Sequence, residues 1–287
     1  MVYSLFVSLR EGLEAFLIIA IVLGYLNRIG QRRYFTHVWL GAALAFLGTI
    51  AVWAGLELTA SKLSGPALEA FEGGATLLAV VVLTSMTLWM KRQAADMGSH
   101  LRSQVDVALR SGSVVTLVLL AFTSVGREGL ETALFLTAGS ATADSALLYW
   151  LGAGLGLAVA AVMGAIVYAG TMRLPLSAVF NVTGVILIVL AAGLLSSGLK
   201  ELSHATSASA LGPHLWDTYN LVPDNSGLGR LLNTVLGYDA SPRLGQVVAY
   251  LGYLAVFLPL FLLGREKPPV ASQTTTTPMS TMNRRPA

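Results

Sequence analysis

Cysteine is absent from the 287 residues, which excludes disulfides, thiolate metal ligands and thiol nucleophiles. Charge is scarce too. Asp, Glu, Lys and Arg make up 11% of the chain, against about 25% in an ordinary soluble domain. No P-loop, no Gly-x-Ser-x-Gly elbow and no His-Glu-x-x-His occurs, so neither an ATPase nor a hydrolase is expected, and the chain does not read as an enzyme. The formal net charge of +3 says little by its size, and no nucleic-acid partner is expected.

What the chain has in quantity is apolar sequence, at 55% of its residues. Stretches of about 20 apolar residues, enough to cross a hydrocarbon core of ~30 Å, fall near 2–26, 38–58, 68–90, 113–138, 147–171, 177–199 and 246–264. The expected fold is therefore an all-α integral membrane protein with seven transmembrane helices. The first stretch has no basic leader and carries Arg10, Glu11 and Glu14 at its middle, so it reads as a retained helix and not a signal peptide.

Basic residues set the orientation. Arg28, Arg32, Arg33, Lys91, Arg92, Arg102, Arg110, Arg173, Arg265, Lys267, Arg284 and Arg285 fall on one side of this arrangement, and Lys62, Lys200, Arg230 and Arg243 on the other. The bias places the N-terminus outside and the C-terminus in the cytoplasm of a multi-pass cell-membrane protein. Residues 1–266 form the membrane domain. Residues 200–245, with Pro213, Pro223 and Pro242, form an external loop, in which Gly227 to Tyr238 reads as a short surface helix or packed loop. Residues 267–287, with four threonines in a row, read as a disordered cytoplasmic tail.

One pentapeptide occurs twice. Arg10-Glu11-Gly12-Leu13-Glu14 returns unchanged as Arg127-Glu128-Gly129-Leu130-Glu131, 117 residues later. Each copy lies in the first helix of a group of three, so about 2–90 and about 113–199 form two repeats. Three being odd, the repeats face opposite ways across the bilayer, a layout that places binding sites near the midplane where the halves meet.

Energetics make the motif hard to explain as ornament. Fourteen Val, Leu, Ile or Phe residues in the first span contribute about −4 to −8 kcal/mol to insertion, and three central charges oppose this by roughly +2.5 to +3.5 kcal/mol each. Such charges persist when they face a protein interior and have partners. At 100° per residue Arg10, Glu11 and Glu14 share one seam, while Gly12 points elsewhere and lets a neighbouring backbone come close. Glu11, Glu14, Glu128 and Glu131 supply hard oxygen ligands suited to Mg, Ca, Mn or ferric iron over copper or zinc, with Arg10 and Arg127 holding the carboxylates ionised when the ion is absent. Four carboxylates and two guanidiniums leave −2, which a divalent ion neutralises.

Other polar residues carry weaker signals. Glu69 and Glu72 repeat the Glu-x-x-Glu spacing at the outer start of the third span, as a possible external relay for the cation or a solvated helix start. His204 and His214 lie in the external loop and read as solvated residues before ligands. Lys200 and Glu201 read as an interfacial ion pair. Met86, Met90, Met163 and Met172 read as packing, and Gly152 and Gly156 as a close helix contact within the chain.

Arg-Glu-Gly-Leu-Glu in both the first and fourth spans resembles the signature of the high-affinity iron permeases, the fungal oxidase-dependent transporters and the bacterial EfeU-type permeases. The resemblance runs from Met1 to about Gly264 and includes the Glu-x-x-Glu pair of the third span. It implies uptake of iron, ferrous or ferric, as the transported ion and not as a cofactor, with Glu11, Glu14, Glu128 and Glu131 binding the metal. It also implies an external or periplasmic partner that oxidises or binds iron. The short tail is similar to that of the bacterial inner-membrane form. Two other readings of the same residues are a proton-coupled exchanger of another divalent cation and a metal-sensing membrane subunit that does not transport. If Glu69 and Glu72 relay the cation, Glu69→Ala with Glu72→Ala raises the iron concentration that half-saturates uptake; an unchanged half-saturation removes the role.

Overall fold

The computed structural model describes residues 1–93, 97–110, 113–140, 143, 145–170, 176–205, 211–223 and 226–264. The tail 267–287, Met172, Arg173 and parts of the external loop lie outside the described residues. Helices run over α1 (Val2–Arg28), α2 (Phe35–Ala60, entered through a 3₁₀ turn at Arg32–Tyr34), α3 (Pro66–Gln93), α4 (Met97–Arg110), α5 (Val114–Ser140), α6 (Ala146–Ala169), α7 (Leu176–Ala205), α8 (Gly227–Leu236) and α9 (Leu244–Leu263). No β-strand occurs among the described residues.

Where the chain turns, its chemistry accounts for the break. Ser145 Oγ accepts the amide of Leu148 at the start of α6, and Ser226 Oγ accepts that of Gly229 at the start of α8. Both helices end on a glycine in the left-handed region, Gly170 at φ +65° and Gly237 at φ +66°, where a side chain would be strained.

Length and composition suit the helical segments Arg32–Ala60, Pro66–Lys91, Ala146–Ala169, Ala178–Ala205 and Leu244–Leu263 to crossing a membrane. The chain is a multi-pass membrane protein. α1 and α5, 27 residues each, are long enough as well, but every 18-residue stretch of either holds three charged residues. The pentapeptides are what set these two helices apart.

α1 packs chiefly on α6, α2 on α5 and α3 on α7, while α1 also crosses α5 and α9 lies on α7. Tyr3, Val7, Leu83, Phe135, Leu187 and Tyr253 belong to one core shared by α1, α3, α5, α7 and α9. A second core joins Val22 and Leu26 of α1 to Val38, Val105, Ala108 and Leu117. Outward faces stay apolar, with Phe46 and Leu47 on α2, Leu147 and Val162 on α6, and Val248 and Leu251 on α9 exposed, as expected of surfaces that meet lipid. Tyr3 Oη donates to the carbonyl of Phe135 at 3.0 Å, and Ser4 Oγ to that of Tyr149 at 2.7 Å, pinning the start of α1 to α5 and α6. Lys91 Nζ donates to the carbonyl of Phe261 and lies 4.6 Å from the centre of its ring, fastening α3 to the end of α9.

The closest approaches are made by glycines. Gly152 and Gly156 on α6 lie against the backbone of α1 at Met1, Leu5 and Leu9, and Gly41 on α2 lies against the backbone of α5 at Val118. The Gly-x-x-x-Gly pair therefore serves a contact within the chain. Met1 and Val118 are 117 residues apart, the displacement that separates the two pentapeptides.

Two features depart from the sequence expectation. Residues 97–110, expected as a basic loop, form α4, because Leu101, Val105 and Ala108 recur at helical spacing and are buried against α1 and α5. Lys200 pairs with Asp239 at 2.8 Å and not with Glu201, since Asp239, fixed by the Ser241 amide, stands within reach of its ammonium. Burial works to raise the pKa of Asp239, but the hydrogen bond from Lys200 and the Ser241 amide outweigh it and hold the carboxyl below its usual value. The stabilisation this pair gives is present at neutral pH and is lost only in acid, as the pH falls through that lowered pKa. The described part of 200–245 is packed on the bundle. α8 lies on α7, His214 Nδ1 donates to the Ser241 carbonyl at 2.7 Å, and the amides of Leu215 and Leu244 donate to the carbonyls of Pro242 and Pro213. His214 thus ties the loop to α9, and His204 is exposed.

A side chain at Gly41 or Gly152 would meet a backbone carbonyl, so Gly41→Val and Gly152→Val each destabilise by about 1–3 kcal/mol, read as a lower Tm of the purified protein. Gly48→Ala, with nothing within 4 Å, holds or raises it.

Candidate metal centre

α1 and α5 cross where their pentapeptides lie, and glycine at the centre of each motif permits the packing around them. Gly12 faces Ala160 and Leu157 of α6, and Gly129 faces Thr49 of α2. With the backbones seated this way, the acidic side chains of both helices turn to one place. Oxygens of Glu11, Glu128 and Glu131 all lie within 4.8 Å of one another. That spacing suits one hard cation, whose opposed oxygen ligands at about 2.3–2.4 Å would stand up to about 4.8 Å apart. Glu14 lines the same cavity as Glu128, which places the fourth motif acid beside the trio.

Each arginine serves its own helix. Arg10 Nη1 lies 3.5 Å from Glu11 Oε1 and its Nε lies 3.4 Å from Glu14 Oε1; Arg127 Nε lies 3.6 Å from Glu128 Oε1 and donates to Glu131 Oε1 at 3.0 Å. The two differ in setting. Arg10 is 2% exposed at its side chain and Arg127 45%, with the Arg127 guanidinium 4.9 Å from the centre of the Trp89 ring.

The acids are left incompletely satisfied. Glu11 Oε2, Glu14 Oε1, Glu128 Oε2 and Glu131 Oε2 are buried without hydrogen-bond partners, as is Arg10 Nη2; the 3.4 Å approach of Arg10 to Glu14 is an ion pair without hydrogen-bond geometry. A buried carboxylate oxygen with no donor is costly. Four such oxygens stand on two crossing helices, and a hard cation would satisfy a donor set of this kind.

The structure thus brings together Glu11, Glu128 and Glu131, with Glu14 on the same cavity wall as Glu128 and each arginine paired to the acids of its own helix. Glu69 and Glu72, half-buried at the start of α3, do not join them; Glu72 is within electrostatic reach of Glu69 and of Glu201 at the end of α7. Sequence reasoning missed Trp89, His100 and Gln104, which line a cavity of about 320 Å³ together with Glu14, Thr123, Ser124, Arg127 and Glu128. The periodicity of α4 was the signal that would have found the last two, since a packed helix there must cover the inner halves of α1 and α5.

A multi-pass helical membrane protein with carboxylates gathered inside its helical bundle fits the class of membrane cation transporters. The chain matches the iron permease FTR1 family over residues 1–265, and it belongs to that family. It is 33% identical to the ferrous iron permease EfeU of Escherichia coli O6:K15:H31 over 93% of this chain and 96% of the relative. It is similar to the Shigella sonnei protein of the same name at the same identity and coverage, and to that of Yersinia pestis at 32% over 90% of this chain and 92% of the relative. No solved structure matches the chain.

Arg10 neutralises two acids that are 1% exposed. Removing one partner from a buried charge group costs about 3–5 kcal/mol, so Arg10→Met is expected to lower stability by that order in thermal unfolding. Arg127→Met, at a half-exposed position, costs about 1 kcal/mol or less. Equal losses would contradict the asymmetry described.

Proposed function

We propose that this protein imports ferrous iron across a bacterial inner membrane, and that the ion passes between the two pentapeptides, held by Glu11, Glu14, Glu128 and Glu131. The observation that carries this reading is the convergence of orphaned carboxylate oxygens from α1 and α5. The ferrous iron permeases this protein resembles support iron as the cargo, and the net −2 of the charge set supports a divalent form.

In the proposed topology, residues 1–266 are the permease domain and α1, α2, α3, α5, α6, α7 and α9 span the bilayer, with the N-terminus outside. The first three and the next three are inverted repeats. Exchanging α1 with α5, α2 with α6 and α3 with α7 turns the α1–α6 contact into the α5–α2 contact, and leaves α3–α7 and α1–α5 as themselves. The matched approaches of Gly152 to Met1 and Gly41 to Val118 support the same exchange. α1 and α5 then enter from opposite faces and meet with their acids at mid-depth.

Mechanistically, an arriving hydrated ion exchanges water for carboxylate oxygens, and the arginines keep those oxygens charged and apart while the site is vacant. An inside-negative potential drives each positive charge inward by ~2.3 kcal/mol per 100 mV, so no nucleotide is needed. Glu69 and Glu72, by the external end of α3, would relay ions to the centre.

Glu14→Ala and Glu131→Ala should each abolish iron uptake by cells in which the protein still reaches the membrane. Full uptake by both variants contradicts the reading.

A further inference from the structure

The cavity lined by Glu14, Ile18, Trp89, His100, Leu101, Gln104, Thr123, Ser124, Arg127 and Glu128 does more than border the metal centre. Glu14 and Glu128 are 1% and 4% exposed, whereas His100 is exposed. One cavity therefore joins fully buried acids to the surface of the molecule at His100. Two of its walls carry orphaned oxygens, Glu14 Oε1 and Glu128 Oε2. Along the rest stand the hydroxyls of Thr123 and Ser124, the amide of Gln104 and the imidazole of His100.

α4 is fixed there firmly. Its Val105 and Ala108 belong to the core formed with α1, α2 and α5, and Tyr25 Oη donates to Asp106 Oδ1 at 2.6 Å. The early turns of α4 are thereby held over the cavity. Gln104 Nε2 lies 3.0 Å from His100 Nε2, within hydrogen-bonding distance. A lone pair on a neutral imidazole is a ligand for a divalent transition metal.

We propose that this cavity is the cytoplasmic release vestibule and that His100 is a second, transit ligand for the ferrous ion leaving Glu14 and Glu128. The inference rests on the uptake reading above. A nitrogen donor outside the carboxylate cluster gives the ion a binding partner on the way to water, so its loss slows exit without weakening capture.

The test uses the full chain in proteoliposomes with ferrous iron as the probe. His100→Ala is expected to lower maximal flux about tenfold with the half-saturating concentration unchanged, and His100→Asp, which restores a metal ligand, to recover at least half of it. Wild-type flux in His100→Ala, or a loss that His100→Asp does not relieve, overturns the proposal. Because the chain has no cysteine, Ser124→Cys supplies a single thiol in the vestibule. It should react with an impermeant maleimide from the cytoplasmic side only, at least tenfold more slowly with ferrous iron present. Reaction from the outer side, or a rate indifferent to iron, also overturns it. Glu14→Ala run in parallel separates the failures: full flux there sinks the uptake reading itself, whereas abolished flux there with unimpaired His100→Ala sinks only the vestibule.

Discussion

Two glutamates and an arginine buried in the middle of α1 are the constraint around which the remaining helices are arranged. Arg10, Glu11 and Glu14 are at most 2% exposed, so protein encloses them everywhere but where Glu14 borders the cavity under α4. Lipid offers no hydrogen bonds, and an ion pair left facing it would cost more than the apolar residues of α1 return. α6 closes over Gly12 on one side, and α5 brings its own acids against the other. The close glycine contacts and the long buried face of α1 follow from the need to enclose that charge.

The second pentapeptide answers the first without copying its surroundings. Gly129 takes Thr49 where Gly12 takes Ala160, yet Arg127 is half-exposed and stacks on Trp89. Arg10 and Glu11 are sealed, whereas Glu14, Arg127 and Glu128 border one cavity, and that asymmetry gives the site a direction. In the proposed orientation that direction is inward, from acids held by α1 toward the polar wall beneath α4.

Much of this was legible in the sequence, and the reasons are local. Long apolar runs locate the helices because a backbone in lipid must satisfy itself, and the recurrence of five residues pairs α1 with α5. Helical spacing put Arg10, Glu11 and Glu14 on one seam, where they lie. α4 was hidden because fourteen residues rich in Arg, Ser and Gln fall below any membrane threshold, so its three buried apolar positions were overlooked among the charges. Lys200 was assigned to its sequence neighbour because the contact it makes, with Asp239, spans 39 residues of loop and short helix that composition does not fold. The asymmetry between Arg10 and Arg127 was invisible in principle: the two motifs are identical, and only their neighbours in space differ.

The account stands on acids from two helices sharing one ion, which equilibrium binding of ferrous iron to the purified chain measures directly. It predicts one high-affinity ion per chain, lost at least a hundredfold in affinity in Glu11→Gln and equally in Glu128→Gln. Two independent ions per chain, each abolished by only one of these substitutions, would contradict it.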